Sequence, residues 1–238
     1  MNDHSDSHGP RGTVEDALKR AESALADGRG LTGTGFWKSV SIARSDPEIA
    51  KEFAGRIAEL DRRVFQSSVR LRVPEPIGLG LLAAGTGLGV AAITLSSRFG
   101  GLLGPIVFLG GFGAIDIATH SLAHWAVGRL LGMRFTHFFL GGPPPPRPGA
   151  KVDYESYLLS SPNQRAAMHA SGALLTKLVP FSLIPFALAM QMPRWVSAVL
   201  LIAGAGQLIT DIEFSTKTSD WKKVRRELRA ARRYTAQS

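Results

Sequence analysis

Pro76–Ser97 reads PIGLGLLAAGTGLGVAAITLSS, an apolar run without a charged residue. At about 1.5 Å of rise per residue, a helix of this length crosses a hydrocarbon core of about 30 Å. A backbone in lipid must satisfy its own N–H and C=O groups, so the run predicts a transmembrane helix. Working outward, Gly101 to Leu131 is a second apolar stretch, interrupted by Asp116, His120, His124 and Arg129. Its Gly110-Gly111-Phe112-Gly113 segment is a place for the helix to bend or to split in two. Ala166 to Met190 is a third, with Pro180 and Pro185 as expected kinks and Lys177 as an intramembrane charge. Trp195 to Ile212 is a fourth. The expected fold class is therefore all-α: a polytopic helical membrane protein with about four transmembrane spans and a small helical N-terminal appendage. The expected domains are a helical region over 1–73, the membrane domain over 74–214 and a basic tail over 215–238.

Composition agrees. The 238 residues are 45% hydrophobic with a net charge of +9, and the two kinds of residue are segregated, apolar in the middle and polar at both ends. Arg62, Arg63, Arg70 and Arg72 precede the first span, and Lys222, Lys223, Arg225, Arg226, Arg229, Arg232 and Arg233 follow the last. Basic flanks face the cytoplasm, so both termini are expected there, and Arg134, Arg147 and Lys151 put the long central loop on the same side. Residues 1–70 lack the apolar core of a cleavable signal peptide, so an uncleaved protein of the plasma or inner membrane is expected. Cysteine is absent, which excludes disulfides, thiolate ligands and thiol nucleophiles.

Residues 1–12 are polar, and Thr13 to Ala26 reads as a helix capped by Thr13. Ser45-Asp46-Pro47-Glu48 is a stronger start signal, a capping box with proline in the first turn. Ile49, Phe53, Ile57, Leu60 and Val64 follow at helical spacing and form a stripe that packs on the membrane domain, lies on lipid or pairs with another helix. The basic tail is placed to meet anionic lipid headgroups; no second feature points to nucleic acid. Gly141-Gly142-Pro143-Pro144-Pro145-Pro146 reads as a stiff extended connector.

His120-Ser121-Leu122-Ala123-His124 lies inside the second apolar stretch. Histidines four apart share a helix face, close enough for both ring nitrogens to reach one metal ion. They are either core histidines or ligands; within a bilayer, where polar groups are costly, a functional site is the default reading. Without thiolates, imidazole, carboxylate and water must supply the ligands, which suits zinc and leaves iron, manganese and copper open on ligand type. Asp211, at the end of the fourth stretch, is one carboxylate for the site, or else an interfacial helix cap. Asp116, one turn before His120, is a ligand, a hydrogen-bond acceptor for His120 or an ion-pair partner of Lys177. Lys177 is expected to balance Asp116 or Asp211. His169 is a proton relay, a substrate contact or an interfacial histidine bonded to backbone.

His120-Ser121-Leu122-Ala123-His124-Trp125, followed by Gly128-Arg129-Leu130-Leu131-Gly132-Met133-Arg134, resembles the metal-binding helix of site-2 protease intramembrane metallopeptidases. Arg165-Ala166-Ala167-Met168-His169-Ala170-Ser171-Gly172-Ala173 is similar to that family's next helix, and Asp211 falls where the family places a third ligand. The resemblance covers roughly residues 101–215 and implies His120, His124 and Asp211 as zinc ligands. Three departures accompany it: Ser121 replaces the catalytic glutamate, Ala173 stands where proline is usual, and no glycine follows Asp211. In a working metallopeptidase that glutamate moves the proton of the attacking water. Serine is too weak a base and too short to do so. The resemblance thus implies a pseudoprotease that binds single-span membrane-protein clients. An active metallopeptidase recruiting Glu155 or Glu213, or a metal-free scaffold built on the polar network, stays open on the sequence.

Overall fold

The computed structural model describes residues 9–141, 147–213 and 219–237, with side chains for 9–141, 148–210 and 219–232. The proline run of the connector and the side chains of Asp211 and Glu213 lie outside the described residues. The first three helices, α1 (Pro10–Ala26), α2 (Phe36–Ser45) and α3 (Pro47–Ser68), form the N-terminal appendage. α1 begins at Pro10, ahead of Thr13, because proline's fixed φ suits the first helical position and Gly9 serves as the cap. α3 is capped by Asp46 rather than Ser45: the Asp46 Oδ1 accepts from the Glu48 and Ile49 amides at 2.9 and 3.1 Å. Ser45 instead ends α2 and donates to the Ser41 carbonyl.

The Ile49, Phe53, Ile57 and Leu60 stripe is buried, with Val64 at its edge. It packs against Val14, Leu18, Phe36 and Val40, and also against Met133, Phe135, Tyr157, Leu158 and Met168 from the end of the membrane domain. Appendage and membrane domain therefore share one apolar core. Packing, not a lipid surface, is what the stripe serves.

The membrane domain is built from α4 (Glu75–Leu95), α5 (Leu103–Leu130), α7 (Pro162–Ala189) and α8 (Arg194–Glu213). Among the described residues α4 with the turn that follows it, α5 and α7 are long and apolar enough to cross a membrane; α8 is apolar but shorter. Leu81, Leu88, Ile106, Ile117, Leu178, Phe186 and Ile202 are all more than half exposed, the outward apolar belt that lipid would cover. α5 runs unbroken through Gly110-Gly111-Phe112-Gly113. Gly111 is there for contact, since a Cβ on it would overlap the Gly89 carbonyl of α4 and a Cβ on Gly89 would overlap the Gly111 carbonyl. The two backbones cross at this glycine pair, as small residues allow in membranes.

A three-stranded antiparallel sheet, β1 (Leu71–Pro74), β2 (Phe135–Gly141) and β3 (Arg147–Val152), caps one end of the bundle in the order β1-β2-β3. Val73 pairs with Phe138, and Phe138 with Ala150. β1 leads into α4 and β2 leaves α5, so the sheet ties the near ends of these spans; at the same end the Trp125 indole donates to Glu75 at 2.6 Å. A short α6 (Tyr154–Leu159) packs on α3, and α7 starts with a capping box in which Ser161 and Gln164 bond reciprocally. The last helix, α9 (Asp220–Gln237), lies along α7 and touches α2.

Candidate metal centre

α5 presents His120 and His124 on the face that meets α7. The His124 Nδ1 lies 2.7 Å from the Met168 carbonyl of α7. A carbonyl can only accept, so the proton sits on Nδ1 and the lone pair on Nε2. Gly172, one turn further along α7, makes room for the ring: any Cβ there would overlap the imidazole. One helix thus fixes the tautomer and the orientation of a histidine on its neighbour, as partners of metal-binding imidazoles do.

The third group comes from α9. Asp220 Oδ2 stands 3.2 Å from His124 Nε2 and 3.4 Å from His120 Nε2, and the two imidazole Nε2 atoms are 3.2 Å apart. Three potential ligand atoms converge in a near-equilateral triangle. With metal–ligand bonds of about 2.0–2.1 Å, two ligands of a tetrahedral zinc lie about 3.3–3.4 Å apart, so this triangle matches one face of such a site. Among the described residues His120, His124 and Asp220 are the group that can hold a metal ion. His120 Nδ1 is buried and without a hydrogen-bond partner, so this ring is less firmly fixed than that of His124.

Burial alone would raise the Asp220 carboxyl, but the Lys223 ammonium at 2.9 Å counters that and favours the carboxylate. It is therefore ionised and ready to bind a cation. His169, on α7, approaches from the other side, its Nδ1 4.0 Å from Asp220 Oδ1. Burial pushes the Tyr157 hydroxyl well up, so it stays protonated, and it donates to Glu227 Oε1 at 3.1 Å. His169 Nε2, 3.0 Å from the same hydroxyl, must then be its donor, which leaves the Nδ1 lone pair facing Asp220. The partner of His169 is this side-chain network, not the backbone.

Asp116 stands apart from the triangle. Its Oδ2 accepts from Gln207 of α8 at 3.1 Å, and it takes no hydrogen from His120. Lys177 donates to the Ala173 carbonyl and lies over the Trp221 ring, next to Asp220 along α9. Ser121 is buried on α5, one position round the helix from His120. Glu155 is engaged with Arg134 at 2.7 Å. Among the described residues the carboxylate that meets the histidines is that of Asp220, which the sequence reading merged into the basic tail. A signal was there: within residues 219–238 the acids are Asp220 and Glu227, seven apart and hence on one face of an otherwise cationic helix. Comparison with protein-family models, with curated proteins and with solved structures finds no match.

Proposed function

We propose that this chain is an integral membrane protein of the site-2 protease type that binds zinc through His120, His124 and Asp220 and holds single-span membrane-protein clients without cutting them. The observation that carries the reading is the triangle of two imidazole nitrogens and one carboxylate oxygen, on a helix of transmembrane length, with serine in the position of the proton-transferring glutamate. Zinc held there would supply Lewis acidity and a fixed positive charge. What the chain contributes is orientation: Met168 and Gly172 set His124, and Lys223 steadies Asp220. Asp116 is bonded to Gln207 and Glu155 to Arg134, so each is engaged elsewhere. Without a positioned general base, peptide hydrolysis is expected to fall by at least about 100-fold to 10,000-fold. The arginine-rich ends support a plasma or inner membrane protein with both termini in the cytoplasm.

The test is cleavage and retention of single-span test substrates by the protein reconstituted with zinc. Retention without cleavage, with cleavage appearing in Ser121→Glu, is the expected result. Chelator-sensitive cleavage by the wild type would make the chain an active peptidase with another base. Absence of zinc together with loss of folded protein in Lys177→Ala would favour the metal-free scaffold.

A further inference from the structure

The second acid of α9 is as firmly held as the first. Glu227 is fully buried; its carboxylate accepts from Arg165 Nε at 2.7 Å, Arg226 Nε at 3.2 Å and the Tyr157 hydroxyl at 3.1 Å, and the Arg44 guanidinium pairs with it by charge, Nε at 3.3 Å, without a hydrogen bond. Arg165 is fully buried as well, and its remaining N–H groups donate to the Ser160 and Arg44 carbonyls at 2.6 and 2.7 Å. α2, α6, α7 and α9 therefore meet on one carboxylate. Two turns earlier on the same face, about 10 Å along the helix axis, Asp220 meets the histidine pair by longer contacts of 3.2 and 3.4 Å.

Buried ion pairs are costly to desolvate and add little to stability over an apolar replacement; their best-attested use is to fix register. A register device is what Asp220 needs, because a slide of α9 by one residue would carry it about 1.5 Å along the axis and round the helix, out of the triangle. We propose that Glu227 is a positioning residue for the metal centre: it sets the depth of α9 so that Asp220 reaches His120 and His124. Through Arg44 it makes metal affinity depend on how the N-terminal helical unit is seated. The proposal rests on the metal reading of the triangle.

The experiment compares wild type, Glu227→Gln and Arg44→Gln in lipid nanodiscs, reading zinc affinity by competition with a chromophoric chelator. Because the chain has no cysteine, a spin-label pair introduced at Leu130 and Arg229, both exposed, reads the seating of α9 independently of metal. Glu227→Gln is expected to weaken zinc binding by about 10-fold or more, the usual cost of losing a partner that orients a ligand, and to broaden the label distance. Arg44→Gln, remote from the triangle, is expected to weaken binding by a smaller factor with its own helices intact. Unchanged zinc affinity in both variants would overturn the proposal. If the wild type takes up no zinc, the metal reading fails, and the spin labels alone decide: an unchanged, sharp distance in Glu227→Gln overturns the positioning role, a broadened one upholds it. If Glu227→Gln does not fold, Arg44→Gln carries the test by both readouts.

Discussion

At the level of single residues, the candidate site depends on the groups that hold His120, His124 and Asp220 as much as on those three side chains. Gly172 is the sharpest case, because its missing Cβ is the space that the His124 ring occupies. Gly172→Val is expected to push the imidazole off the Met168 carbonyl and to weaken zinc binding by about 10-fold or more, measured by chelator competition. Gly113→Ala, on α5 itself, faces open space and should leave affinity unchanged. The histidine pair was legible from its spacing alone, since i and i+4 share a helix face whatever surrounds them. The third member of the triangle was not: Asp220 is brought to the histidines by α9 folding back along α7, a long-range contact that no local pattern encodes, while the side chain of Asp211, the carboxylate expected from the sequence, lies outside the described residues.

Among elements, the crossing of α4 and α5 decides whether the histidine helix sits where α7 can reach it. Gly111→Leu would force the two backbones apart and is expected to cost about 1–3 kcal/mol in unfolding free energy, measured by denaturant titration in detergent. Gly110→Leu, whose Cβ meets nothing within 4 Å, should cost far less. The glycine cluster reads in sequence as a break, since glycine weakens helices in water; in the structure the same glycines are the seam of a helix pair. The small sheet was invisible for a related reason. Phe135–Gly141 is rich in aromatic residues, but its pairing with Leu71–Pro74 joins strands separated by two spans. The apolar spans and the Ile49 stripe, by contrast, depend on run length and helical period, which a sequence carries directly.

For the whole molecule, the appendage, the sheet, α6 and α9 gather at one end of the bundle, the end to which the basic segments belong. Single cysteines placed in the cysteine-free chain at Ser41 and Arg229 should react with a membrane-impermeant maleimide from the cytoplasmic face, and one at Phe99, in the α4–α5 turn, from the opposite face. Labelling of Ser41 and Arg229 from opposite faces would contradict the arrangement. That arrangement puts the carboxylate of α9 within reach of the histidines of α5, and the claim most worth testing is that the three together bind metal. The measurement is metal content by mass spectrometry of detergent-purified wild type beside His120→Ala/His124→Ala, Asp220→Asn and Asp211→Asn. Near-stoichiometric zinc in the wild type and in Asp211→Asn, lost from the other two variants, is the predicted result. Zinc absent from the wild type, or retained by Asp220→Asn and lost from Asp211→Asn, would contradict it.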